Sequence, residues 1–130
     1  MKRHAALLQL SREHHHALKL SRLARFASDS GHALAIAEAA EKIIESFPEV
    51  LERHFETEEK DLLPALAAAG ASALVERTLA EHAELRDLKR CMPEADSEIL
   101  ARFATLLHDH VRFEEREVFE TAQRLLYPEH

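Results

Sequence analysis

The chain is poor in the residues that make turns, holding 2 glycines and 4 prolines among 130 residues, and it has no tryptophan. That scarcity excludes a fold of many short strands and tight turns and favours long helices. It has one cysteine, Cys91, which cannot close a disulfide within the chain, so nothing requires an oxidising compartment. Near a helix end, Cys91 reads as a small core-facing residue. There is no apolar run long enough to span a bilayer, and Met1-Lys2-Arg3-His4 carries charge with no apolar stretch behind it. The expected location is therefore the cytoplasm, with no membrane contact. An excess of positive charge is also missing: the formal net charge of −7 argues against an electrostatic grip on nucleic acid or an anionic surface. No Ser-His-Asp set, glycine-rich phosphate loop or reactive-cysteine motif stands in the sequence.

With 46% hydrophobic and 32% charged residues, the chain suits a soluble globular protein, and its length suits one domain over 1–130. Four helical segments are predicted. The first, about 7–27, places Leu7, Leu10, Leu18 and Leu23 at helical spacing, with Phe26 near its end. Ser28-Asp29-Ser30-Gly31 reads as a loop. The second, about 33–68, carries Ile36, Ile43, Phe47, Val50, Leu51, Phe55, Leu62 and Leu66. Pro48 should kink it or mark a join, and Pro64 should distort its last turns. Gly70 stops it, and Ser72 is the predicted N-cap of the third, about 73–91. There Leu74, Val75, Leu79, Leu85 and Leu88 are apolar. Asp96 or Ser97 caps the fourth, about 98–126, which stops before Pro128. Connections this short imply an all-α, up-down-up-down antiparallel four-helix bundle.

Histidine is abundant: 10 are spread along the chain, several of them inside helical segments. In the second segment stands His54-Phe55-Glu56-Thr57-Glu58-Glu59, and in the fourth His110-Val111-Arg112-Phe113-Glu114-Glu115. A spacing of four stacks His54 over Glu58 and His110 over Glu114 on one helix face. Leu51, Val50 and Phe47 precede the first pair in phase, and Leu107, Leu106 and Phe103 the second, so both pairs point into the bundle. Buried carboxylates lose several kcal/mol of hydration unless a partner or a metal compensates. His82, in phase with Leu79, Val75 and Leu85, faces the core from the third helix. On the first helix the triplet His14-His15-His16 offers three directions about 100° apart. His14 shares a stripe with Leu7, Leu10 and Leu18. His15 shares one with Leu8 and Leu18 but also with Arg12 and Lys19, and it remains the alternative. His4, His32 and His130 read as surface residues, and His108 faces away from the cage. Glu56, Glu59, Lys60 and Asp61 form a solvated face, from which Glu59 can also back the ligands. Arg86, one turn after His82, falls at the site's edge, where a carboxylate can pair with it. Imidazole with carboxylate suits iron, manganese or zinc, and the absence of thiolates argues against an iron–sulfur cluster or a structural cysteine–zinc site.

In order and spacing, these residues resemble the hemerythrin-like cation-binding family: one His, a His-x-x-x-Glu, one His, a second His-x-x-x-Glu. Glu13-His14 and Glu81-His82 resemble the Glu-His openings of that family's first and third helices. The likeness spans all four segments. It implies His14, His54, Glu58, His82, His110 and Glu114 as ligands of two iron ions, with manganese or zinc as substitutes. Glu58 and either Glu114 or Glu115 would bridge them. It further implies a small diatomic or peroxide ligand, the chain binding or reacting with O2, peroxide or NO, as a metal- or oxygen-binding protein more than a dedicated enzyme. The alternative is an iron-holding or iron- and oxygen-sensing module. Oxygen carriers of this kind have a further histidine where this chain has Arg86, which argues against simple reversible oxygen transport. A ferritin-like oxidase would need Glu-x-x-His pairs, and here the order is reversed and the spacing is four.

Overall fold

A computed structural model describes residues 3–129, so the expected surface position of His130 lies outside the described residues. Four helical rods run α1 (Ala5–Ser30), α2 (33–68), α3 (Ser72–Cys91) and α4 (97–126), with a short 3-10 turn, Met92–Glu94, between the last two. No strand occurs among the described residues, and no helix there is long and apolar enough to cross a membrane. Cross-helix contacts give the direction of the rods. Ser21 Oγ donates to Ala104 O and Ser28 Oγ to Ser97 O, both at 2.7 Å, so α4 descends as α1 rises. Glu52 and Glu59 of α2 meet Arg86 and His82 of α3, and Arg77 and Glu81 of α3 meet Glu117 and His110 of α4. The bundle is antiparallel throughout these pairs, as the short connections require.

The ends of the rods follow local chemistry. His4 caps α1, its Nδ1 accepting from Ala6 N at 3.0 Å while its ring stacks on Tyr127, so it is half-buried rather than a free surface residue. Gly31 ends α1 in the left-handed region (φ 67°), where a side chain would be strained. The helix continues through Ser28-Asp29-Ser30, read from sequence as a loop, because this cap terminates it only there. Gly70 (φ 96°) ends α2, and Ala71 N–H closes back on Leu66 O at 2.9 Å. That turn carries the chain into α3 one residue early, so Ser72 is its first residue and makes no side-chain cap. Asp96 caps α4 as expected, accepting from Ile99 N at 2.9 Å.

Rods α2 and α4 are not uniform α-helix. Each turns π-helical at the glutamate that closes its His-x-x-x-Glu, over Glu58–Leu62 and Glu114–Val118. A third π-turn, Pro48–Glu52, begins at Pro48, which has no N–H to give the ladder. The wide turns let Glu58, Leu62 and Leu63 all be buried, and likewise Glu114, Val118 and Phe119.

Burial splits into two apolar cores. One holds Phe47, Leu51, Phe55, Phe103, Leu107 and the alanines Ala17, Ala24 and Ala27 of α1. The other holds Leu7, Leu10, Leu62, Leu63, Leu66, Phe113 and Phe119. Several apolar expectations are corrected. Phe26 and Leu79 are 75% and 43% exposed, because the inward face of α1 passes through Ala24 and Ala27 and that of α3 through Thr78. Cys91 is exposed, since Leu88 and Met92 take the inward positions at that end.

Candidate metal centre

Between the two cores lies a layer of six polar side chains. His14, His54, Glu58, His82, His110 and Glu114 are each no more than 4% exposed. They come from all four helices, and the phase of each was set by its apolar neighbours. His15 and His16 are exposed, so the His15 alternative is corrected: its face of α1 is the one with Arg12 and Lys19, which point to solvent. His32 and His108 are exposed as well.

Every histidine of the layer turns Nε2 inward. Glu114 lies at the middle. Its carboxylate is 2.7 Å from His14 Nε2, 3.4 Å from His110 Nε2, 3.5 Å from His54 Nε2 and 3.9 Å from His82 Nε2. Glu58 faces it, 3.1 Å from His54 Nε2 and 3.0 Å from His82 Nε2. Most of these are ion-pair distances without hydrogen-bond geometry. Seven buried side-chain nitrogen and oxygen atoms among the described residues lack a hydrogen-bond partner, and six belong to this layer: both Glu58 oxygens, Glu114 Oε2, and Nε2 of His54, His82 and His110. A buried unpaired polar atom costs about 1–3 kcal/mol, and six converging on one space could serve as the donor set of a cation.

The layer divides into two sets whose ligand atoms lie within 4.8 Å of one another: His14, His54, Glu58 and Glu114, and Glu58, His82, His110 and Glu114. Each set has two imidazoles, and both share the two carboxylates. Either set could hold a cation, and Glu58 and Glu114 belong to both. Glu115, the alternative bridge, is turned away from the middle, with Oε2 2.6 Å from His14 Nδ1. Arg86 forks onto Glu52 with bonds of 2.9 and 2.7 Å and also donates to Glu59, so it adds no donor to the layer.

Without a cation the electrostatics are strained. Burial alone would depress the histidines, but the carboxylates overcome it. His54 is pushed up to about 11 by Glu114 and Glu58, and His110 to about 10 chiefly by Glu114. His14 and His82 are raised for the same reason. Glu58 is raised, first by burial and then by the charge of Glu114. Burial would raise Glu114 too, but His110, His14 and His54 hold it well below the usual carboxylate range. The two carboxylates thus raise all four histidines, while the histidines keep Glu114 ionised and burial drives Glu58 toward its neutral form.

Sequence reasoning gave the six central residues but only one of the glutamates that touch their outer nitrogens. His54 Nδ1 is 2.8 Å from Glu13, His82 Nδ1 2.7 Å from Glu59, and His110 Nδ1 2.7 Å from Glu81. Glu59 was read as a backing residue; Glu13 and Glu81 stood in the sequence only as halves of Glu-His pairs. The first-helix assignment has a direct test. His14→Ala should weaken metal binding at least tenfold to hundredfold, while His15→Ala and His16→Ala should leave metal content unchanged. Comparable metal loss from His15→Ala would show that α1 is rotated from the orientation described.

Comparison with known families agrees with this geometry. The family model for the hemerythrin HHE cation binding domain matches residues 6–122. No curated protein and no solved structure matches the chain.

Proposed function

On the premise that this chain belongs to the hemerythrin HHE cation-binding family, we propose that it is a non-haem di-iron protein whose iron pair binds or reacts with O2, peroxide or NO. The observation that supports this best is the six unpartnered buried atoms in two four-residue sets with common carboxylates. His14 and His54 would hold one ion, His82 and His110 the other, and Glu58 and Glu114 both. Iron bound there supplies redox and Lewis-acid chemistry; manganese or zinc fits the same donors without the same oxygen chemistry. The protein's own part is orientation and exclusion of water. Phe55 stacks on His82 with ring centroids 4.0 Å apart, and Phe119 on His14 at 5.3 Å, closing apolar walls on both sides of the layer.

Two readings divide on turnover. Because the ligands come from all four helices, occupancy is tied to the integrity of the bundle, which favours an iron-holding or iron- and oxygen-sensing role beside a reactive one. Protein loaded with ferrous iron without air should contain about two irons per chain and gain near-ultraviolet absorption on exposure to air. One iron or none overturns the proposal. Consumption of added peroxide selects the reactive reading, and its absence at full iron content selects the holding one.

A further inference from the structure

The outer nitrogens of the four histidines are held in a closed circuit. Glu13 of α1 holds His54 of α2, and Glu59 of α2 holds His82 of α3. Glu81 of α3 holds His110 of α4, and Glu115 of α4 returns to His14 of α1. Each helix gives one histidine and one glutamate, and each glutamate serves the neighbouring helix, never its own. Four separate bonds of 2.6–2.8 Å in that order are more than a solvated acidic surface produces. Three of these glutamates are fixed from behind by arginine: Glu115 by Arg3, Glu59 by Arg86 and Glu81 by Arg77. Glu13 accepts instead from Gln9 Nε2, at 3.1 Å.

We infer that Glu13, Glu59, Glu81 and Glu115 are positioning residues that fix each imidazole with its proton on Nδ1 and its lone pair on Nε2, so that the four helices present both metal positions as one unit. The inference rests on the metal-binding reading above. A neutral imidazole has one N–H and one lone pair, and a carboxylate against Nδ1 selects the tautomer with the proton there. It also stops the ring from rotating about its bond to the chain, and carboxylate support of this kind raises the basicity of the ligand nitrogen. Because the circuit passes through all four helices, displacing any one of them releases its own histidine and also unseats its neighbour's.

Zinc is a suitable probe, being diamagnetic and matched to the same donors. In zinc-loaded protein, proton–nitrogen spectra of the imidazoles should show a protected Nδ1–H for each of the four histidines. Glu13→Ala should shift or abolish the His54 signal alone and lower zinc affinity about tenfold to hundredfold. Glu13→Gln, whose amide oxygen still accepts, should keep the signal and most of the affinity. Glu81→Ala should do the same to His110, at the other position, and serves if the Glu13 variant fails to fold. The positioning role is overturned if the alanine variants bind zinc within about twofold of the parent with all four signals intact, or if Glu13→Gln loses as much as Glu13→Ala. Parent protein that takes up neither zinc nor iron would sink the metal reading and this one with it, whereas uptake with indifferent glutamates sinks this one alone.

Discussion

Stripping metal from the loaded protein should lower its melting temperature by on the order of 10–20 °C, and the gap should widen as pH rises. The magnitude follows from mass action. A ligand at about a thousand times its Kd adds roughly 4 kcal/mol to folding stability, and each kcal/mol moves the midpoint of a domain this size by about 3–5 °C. The pH dependence follows from the imidazoles. In the metal-free fold His54 titrates near 11 and His110 near 10, both raised above the unfolded value of 6.5. Their contribution to metal-free stability is complete below about pH 6.5 and is lost progressively as pH rises toward those folded values. Metal binding instead requires unprotonated Nε2 atoms, so it releases protons and tightens over the same range. Thermal melts with and without chelator at about pH 6, 7 and 8 check both statements. A chelator without effect, or a gap that narrows as pH rises, sinks the idea that a cation occupies this layer.

The central residues were legible because inward phase is a local property. Phe47 and Leu51 before His54, and Phe103 and Leu107 before His110, are fully buried, and the His-x-x-x-Glu pairs continue their stripes. His82 was placed correctly on partly wrong neighbours: Leu85 is buried as expected, but Leu79 is not, and Thr78 takes the inward turn below it. The inward face of α1 was harder to read. It runs through Leu7, Leu10, His14, Ala17, Ser21, Ala24 and Ala27, whose small residues give little apolar signal. They are there because α1 lies close against α4, near enough for Ser21 Oγ to reach Ala104 O. Leucines at 18 and 23 look more hydrophobic and are only partly buried.

What stayed hidden depends on distance along the chain. The contacts of Glu13, Glu81 and Glu115 with histidines link residues 41, 29 and 101 positions apart, and no local period carries that information. The π-turns were hidden for a different reason. Glu58 keeps ordinary helical angles (φ −62°, ψ −45°), and Glu58-Glu59-Lys60-Asp61 has no residue that forbids a regular α-helix. Their mark in the sequence is the doubled apolar pair that ends each turn, Leu62-Leu63 and Val118-Phe119. In both, two consecutive residues are buried together after a buried glutamate, a combination that a 3.6-residue period does not give.

Replacing Glu114 should abolish binding at both metal positions together. Its carboxylate is fully buried, belongs to both ligand sets, and lies within 4 Å of Nε2 on all four histidines. Glu58 approaches only His54 and His82 this closely, so it cannot replace that charge at His14 or His110. Glu114→Gln keeps the volume and one acceptor but removes the charge, and each ion then loses an anionic ligand at once. Glu114→Ala also opens a cavity and removes the charge that faces all four imidazoles. Removing one partner of a buried ion pair costs about 3–5 kcal/mol, so the metal-free alanine variant should unfold at a markedly lower temperature than its parent. Glu117→Ala is the control. That side chain is 55% exposed and only 3.9 Å from Arg77, so its loss should change stability by less than about 0.5 kcal/mol. Metal content measured by elemental analysis after equilibrium dialysis decides the matter. Two ions retained by Glu114→Gln at parental affinity would show that Glu114 is not a ligand. One ion retained would show that it serves a single position rather than joining both, and the symmetric two-carboxylate centre would have to be given up.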